Sequence, residues 1–343
     1  MKRILFYSSV NSLELFKTQK FYQIDISILK DLGYDVLLSN RIFDSLLFWK
    51  YDILFSYFYR YSFFAALLAK CFGKKTYFTG GIDSLDSDYA SAFNYKIQAL
   101  FFKLCYWVAD SCIIVSQSDL KNIFKVSSLK KKLSYSEHVI NTKLFIADVP
   151  KEKIFTSIVW MGDEGNVVRK GVDKALQIFA ELKKIPEFVD YRFVIIGRKG
   201  EGEVLVRSII DKYNLKGSVE LKGEVSEEDK INLLKQSKYY FQLSLYEGFG
   251  LAALEALCAN NIIIHSGKGG LANPIYKEQL LFDIDNDFDS ELLKLVNKLA
   301  CFTPITSYDN LLEYYDIQRR KDDFEAIIAV SYTHLRAHET LAN

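Results

Sequence analysis

"YRFVIIGRKGEGEVLVRSIIDKYNLKGSVELKG", residues 191–223, holds two apolar runs with an amphipathic stretch between them. Residues 192–196 read as a strand ending at Gly197, 203–213 as a helix by its spacing of apolar positions, and 218–222 as the next strand. A strand, helix, strand unit of this kind implies parallel pairing, with helices covering the faces of the sheet.

The unit repeats on either side. Downstream, 239–243 and 261–265 are further strands; upstream, 155–160 is a strand and 171–184 a helix. The alternation has already run once before that, with strands at 3–7, 35–38, 52–57, 75–78 and 111–115 and helical patterns over 20–32, 61–72 and 89–109. It pauses around 147–153, at Pro150 and its charged neighbours. The predicted fold class is therefore α/β: two doubly wound, Rossmann-like domains, 1–148 and 149–329, the last helix able to pack back on the N-terminal domain. Such sheets bind ligands at the carboxyl ends of their strands, so the expected site lies in a cleft between the two domains.

Composition narrows the function classes. In 343 residues, 44 basic side chains face 43 acidic ones and half the residues are hydrophobic, which excludes a disordered chain or a nucleic-acid-coating surface. An anionic ligand must be held locally. The five cysteines (Cys71, Cys105, Cys112, Cys258, Cys301) fall singly, as expected of reduced core residues in a cytoplasmic protein. "MKRILFYSSV" reads as a first strand rather than a signal peptide, and no stretch reaches the roughly 18–20 apolar residues of a membrane helix. The segment "VSYTHLRAHET", from Val330, has no period and resembles a translated sequencing adaptor. Residues 330–343 are therefore set aside as a non-native tail, with His334 and His338 in it.

Three turns carry the chemistry. Strand 239–243 leads into Glu247-Gly248-Phe249-Gly250-Leu251 and a helix, a turn that offers backbone amides and a positive helix end to an anion. Glu255 follows two turns on, roughly 12 Å along a helix axis at 1.5 Å per residue, so the two carboxylates suit opposite ends of an extended ligand. A plain strand-to-helix turn, with one glutamate at the helix dipole and a second exposed, fits the same residues. The second turn, Ser266-Gly267-Lys268-Gly269-Gly270, is a candidate phosphate cradle. Arg169-Lys170-Gly171 is the third, by itself indistinguishable from a solvated basic pair.

"SLYEGFGLAALEAL" followed by "GKGGLANP" resembles the E-x7-E signature and glycine pair of family 4 retaining glycosyltransferases of the GT-B fold. "VVRKGVDKALQIFAEL", "VSQSDL" and "HVINTKLF" are similar to further segments of that family, in the same order. The resemblance implies roles. Glu247 would contact the transferred sugar and Glu255 the ribose of a nucleotide-sugar donor. Lys170, with Arg169, would neutralise the departing diphosphate, assisted by backbone amides around Gly248, Phe249, Gly250, Leu251, Gly269 and Gly270. Lys222, Gly223 and Val225 would flank the base, and Gly197 would border the nucleotide pocket. It also implies a metal-independent transfer that retains anomeric configuration, with no cofactor beyond the nucleotide sugar.

The sequence departs from the family pattern at several points. Asp163 stands where an arginine is common, and Gly80 where a histidine is, which leaves Asp83 as the nearest polar candidate for contacting acceptor or sugar. Asn273, Asn260 and Ile262 also differ, and the first loop, Ser8 to Ser12, lacks the usual glycines.

The acceptor, a glycan or lipid-linked saccharide, is expected on the N-terminal domain. Its stretch 43–70 is dense in Phe and Tyr, and Lys121, Lys125, Lys130, Lys131 and Lys132 cluster downstream. Core packing beneath a solvated basic face accounts for this; so does docking on the anionic inner face of a membrane. Cell-surface polysaccharide assembly is the expected setting; the alternative is a catalytically silent GT-B protein that acts through a partner. A nicotinamide-dependent oxidoreductase would need G-x-G-x-x-G after a strand, and neither Ser8-Ser9-Val10 nor "GRKGEG" supplies it.

Overall fold

The computed structural model describes residues 1–146, 149–302 and 309–339. The chain divides into two compact units, residues 1–140 together with 315 onward, and residues 141–314.

The first unit holds six strands: β1 (Arg3–Ser8), β2 (Asp35–Ser39), β3 (Ile53–Tyr57), β4 (Lys75–Thr79), β5 (Ser111–Ile114) and β6 (Leu133–Tyr135). They pair in the order β2-β1-β3-β4-β5-β6, every pair parallel. The second unit holds β7 (Glu152–Ile158), β8 (Arg192–Ile196), β9 (Val219–Gly223), β10 (Ser237–Gln242), β11 (Ile262–His265) and β12 (Leu280–Leu281), ordered β12-β11-β10-β7-β8-β9 and again all parallel. Winding reverses direction beside β1 in one sheet and between β7 and β10 in the other, which places a crevice beyond the carboxyl ends of those strands.

Strands covered on both faces are near-continuous apolar runs, and β3 is buried at all five positions. In the second unit Phe155 of β7 stacks on Tyr239 and Phe241 of β10, with ring centroids 4.6 and 5.1 Å apart. Several of the elements absent from the sequence reading are weakly patterned, although the amphipathic helices Gln117–Val126 and Phe288–Cys301 are absent from it too. β6 is a three-residue edge strand that is only partly buried, and β12 has two residues. The helix Glu227–Gln236 is mostly polar and is set by its cap: the Ser226 hydroxyl accepts from the Asp229 amide at 3.0 Å.

The chain leaves the first unit at Ile140, earlier than the predicted 148, and from Tyr315 it returns to the first unit, the packing back that the sequence allows for the last helix. The last helix, Ile317–Glu339, is fixed there by Arg320, which is wholly buried. Its Nε and Nη2 donate to Asp25 Oδ1 and Oδ2 at 2.7 and 2.8 Å, and Nη1 donates to the Ser136 carbonyl at 2.5 Å. Phe324 packs on Phe55 of β3, ring centroids 5.3 Å apart, with the Arg320 guanidinium over its own ring at 4.7 Å. The helical backbone continues into the tail set aside as non-native, because Leu, Arg, Ala and Glu favour helix whether or not their order is periodic; residues 340–343 of that tail lie outside the described residues.

Two cysteines depart from the expectation of a core position. Cys71 and Cys301 are exposed, each the last residue of its helix, while Cys105, Cys112 and Cys258 are buried. Among the described residues no helix is long and apolar enough to cross a membrane.

Candidate active site

The Arg169–Lys170 turn and the Glu247 turn come together at the β7/β10 switch point. After β7 the chain forms a short helix, Glu164–Arg169, that ends on Lys170 and turns at Gly171, where φ is +68°. A Cβ at Gly171 would lie 2.0 Å from the Leu243 carbonyl oxygen, so only glycine lets this turn meet the extension of β10. The contact is pinned by the Leu245 amide, which donates to the Arg169 carbonyl at 2.8 Å. Gly171→Ala is expected to destabilise the protein by about 2–4 kcal/mol through positive-φ strain and backbone overlap, readable as a lowered Tm in a thermal melt. An unchanged Tm would show that the turn accommodates a side chain and is not held by this backbone contact.

That backbone contact brings together side chains 77 residues apart. Lys170 Nζ donates to Glu247 Oε1 at 2.5 Å, and the same oxygen accepts from Gln242 Nε2 at 2.8 Å and Ser244 Oγ at 2.7 Å. Three donors on one oxygen fix the carboxylate's orientation, and Oε2 stays open among the described residues. Both side chains are mostly buried, with 22% of Lys170 and 12% of Glu247 exposed, so their charges act in a poorly screened setting.

Beyond Glu247, Gly250 caps the helix Leu251–Cys258 at φ +88° and supplies no side chain, so no side-chain cap closes the first-turn amides. The second glycine turn lies against the first. A Cβ on Gly269 would come within 2.3 Å of the Glu247 carbonyl oxygen, and one on Gly270 within 2.5 Å of Phe249 Cα. The Gly270 amide, expected to face a diphosphate, instead donates to the Glu247 carbonyl at 2.6 Å; what Gly270 contributes is room for two backbones to touch.

Glu255 is not the exposed glutamate of a plain turn. It is 3% exposed, and Lys230 Nζ donates to its two oxygens at 2.8 and 2.7 Å. The 12 Å axial separation also needs correction. Glu247 precedes the helix, so only the four steps from Leu251 to Glu255 are helical, about 6 Å. Lys230 escaped the sequence reading because a lysine in "EEDKINLLKQ" carries no local signal; only packing of the helix Glu227–Gln236 aims it at Glu255.

The remaining predicted residues serve largely as packing. A Cβ on Gly197 would meet the Val159 carbonyl oxygen at 2.0 Å, and the Gly197 amide donates to the Gly223 carbonyl at 2.8 Å, so both glycines draw loops together. Val225 packs on Ile154, Val194, Ile196 and Leu233, while Lys222 is exposed. Arg169 donates to Asn166 Oδ1 at 2.7 Å. Asp163, the departure from the family pattern, caps the helix that ends on Lys170: its carboxylate accepts from the Asn166 amide at 2.6 Å.

Asp83 belongs to the first unit, exposed in a single turn, Asp83–Leu85. Gly80 before it sits at φ +102°, where a Cβ would be strained and would meet the Tyr57 and Phe58 rings at 3.1 Å, so glycine suits this turn. Near Asp83 lies the fully buried Asp119, which accepts from the Ile82 amide at 3.3 Å. Burial, then the charge of Asp83, pushes its carboxyl up to about 8. A raised carboxyl leaves stability intact below about pH 4 and erodes it as pH climbs towards 8. Asp119→Asn is therefore expected to stabilise the protein at pH 8 and to make no difference near pH 4, by thermal melts across that range. An equal effect at both ends contradicts the assignment.

Among the described residues no group of three or more His, Cys, Asp or Glu is placed to hold a metal ion.

Residues 165–299 match the family model of glycosyl transferases, group 1. The match spans the Lys170 turn, both signature glutamates and the second glycine turn. A GDP-mannose:cellobiosyl-diphosphopolyprenol alpha-mannosyltransferase from Xanthomonas oryzae is 32% identical over 163 residues, 41% of this chain and 40% of that protein. A human phosphatidylinositol N-acetylglucosaminyltransferase component is 30% identical over 105 residues, 31% of this chain and 21% of the other. The chain thus spans well under two thirds of the length of these relatives. Among solved structures, the Anabaena protein HepE in complex with UDP and glucose aligns with a TM-score of 0.67 at 10% identity, over 99% of this chain and 100% of its own. Sucrose-phosphate synthase from Thermosynechococcus elongatus aligns at 0.64 and 16% identity, covering 99% of both chains. These are likenesses of fold, and the fold is GT-B: two Rossmann-like domains.

Proposed function

We propose that this chain is a retaining glycosyltransferase that moves a sugar from a nucleotide-sugar donor to a glycan or lipid-linked acceptor. The observation that carries it is the Lys170–Glu247 pair at 2.5 Å, set beside a glycine turn and an uncapped helix start inside the group 1 match. In the reaction the bond between the sugar's anomeric carbon and the diphosphate oxygen breaks, and the nucleoside diphosphate leaves with the electron pair. A bond from the acceptor oxygen forms at the same face, and the acceptor's proton passes to the leaving phosphate. Lys170 and Arg169 supply the positive charge that stabilises the departing group, in place of a metal. Glu247 Oε2 accepts from sugar hydroxyls. Glu255, oriented by the two Lys230 bonds, accepts from the ribose.

The acceptor side is supported by an open cavity of about 640 Å³ in the first unit, lined among others by Ser9, Asn11, Asn40, Arg41, Phe43 and Tyr61. Amide, hydroxyl and ring groups of this kind suit a saccharide. The two named relatives act on lipid-borne acceptors by their names, which supports a lipid-linked acceptor here; assembly of a cell-surface polysaccharide from the cytoplasmic side is the setting that we propose for it. No observation favours the catalytically silent alternative.

The test is thermal stabilisation by a panel of nucleoside diphosphates and nucleotide sugars. A ligand at a hundredfold its Kd is expected to add about 2.7 kcal/mol. No shift from any member, together with no donor hydrolysis, overturns the reading.

A further inference from the structure

We propose that the helix Ala92–Val108 in the first unit is a docking face for an anionic lipid surface. This extends the lipid-linked acceptor reading and is tested apart from it. A surface helix ordinarily turns its polar residues outward. Here the outward face is apolar: Phe93 is 73% exposed, Leu100 56% and Trp107 68%. Their spacing of seven residues keeps them within about 40° of arc over roughly 21 Å of helix, a length that can lie flat in a membrane interface. The exposed Lys96 and Lys103 fall between them on the same side, and residues 92–108 contain no acidic side chain.

The surroundings continue the pattern. Lys132 Nζ donates to the Trp107 carbonyl at 3.0 Å, so a cation sits at one end of the stripe. From residue 120 to 136 there are five lysines and no Asp or Glu, and within that run Lys130 lies 4.8 Å from the ring of the exposed Phe124. On the adjacent helix, Ser62–Cys71, the exposed Phe64 touches Phe101, ring centroids 6.1 Å apart. Aromatic and aliphatic side chains interleaved with lysines match the headgroup region of a negatively charged bilayer, apolar groups entering below the phosphates that the ammonium groups meet. A second copy of this chain is a poorer occupant, because pairing the stripe with itself sets lysine against lysine.

The full chain is to be sedimented with vesicles of phosphatidylcholine alone and of phosphatidylcholine with phosphatidylglycerol, at low and high salt. Binding is expected only to the anionic vesicles and to weaken with salt. The variant Phe93→Ser/Leu100→Ser/Trp107→Ser should lose roughly tenfold or more in partitioning. Lys96→Gln with Lys103→Gln should lose about fivefold per lysine at low salt only. Because these positions are solvent-exposed, the triple variant should keep the parent's melting temperature and its shift with nucleotide. A parent that ignores anionic vesicles, or a triple variant that still binds them fully, overturns the proposal. So does a parent that is a dimer in solution, a triple variant that is a monomer, and neither binding vesicles. A missing nucleotide shift instead counts against the donor site and leaves the vesicle result standing.

Discussion

Lys170→Ala is expected to lower sugar transfer by roughly 10²–10³-fold in kcat, the loss typical of removing one preorganised group from a developing anion. Lys170 is only 22% exposed and is held by the backbone contact at Gly171, so its charge needs little reorganisation when the diphosphate leaves. Glu247→Gln should cost a comparable factor. The amide can still take the Ser244 hydrogen bond, but it brings no negative charge to Lys170 and turns a donor towards either Lys170 or the sugar. Both variants should melt within a few degrees of the parent, and Lys170→Ala should also weaken the thermal shift by a nucleoside diphosphate. Transfer or donor hydrolysis that continues at the parent rate in both would show that the chemistry lies elsewhere.

Arg320→Met is expected to destabilise the first unit by about 3–5 kcal/mol, because it strands the wholly buried Asp25 without its bidentate partner. The Tyr57 hydroxyl still donates to Asp25, but one neutral donor does not replace a guanidinium. The Ser136 carbonyl also loses its donor, the Glu137 carbonyl keeps only that of Arg319, and Phe324 loses the cation above its ring. Denaturant unfolding followed at two wavelengths should show a lowered midpoint. Adding Asp25→Leu to Arg320→Met should recover part of the loss, since removing both charges eliminates the unpaired one. If the double variant is as unstable as Arg320→Met, stranding of the Asp25 charge is not the cause.

The two effects differ in how visible they were in the sequence. Glu247, Glu255 and the glycine turns could be read because local chemistry fixes them: a strand, a sharp turn needing positive φ at Gly250, and a helix start. Lys170 was found only through its resemblance to a known motif, as the pair Arg169-Lys170 alone looks like solvated surface. Lys230 and Arg320 were not found. Each acts on a partner far along the chain, 25 residues away in one case and 295 in the other, and no periodicity records which helix lands on which. The expected amide of Gly270 failed for a related reason. Three glycines in four positions signal close approach of backbone, but not whether the approaching group is a ligand or, as here, the Glu247 carbonyl.

By itself, then, the sequence determined the alternation of strands and helices, the two parallel sheets it implies and the residue types of the donor turns, since period and glycine content are local properties of the chain. Tertiary structure alone decided that Asp163 caps the helix bearing Lys170, that Glu255 is buried against Lys230, and that Arg320 pairs with Asp25 where the last helix packs back on the first unit. Those outcomes depend on contacts between segments distant in sequence, where the energy lies in burial and pairing and the residue letters of either segment do not name the other.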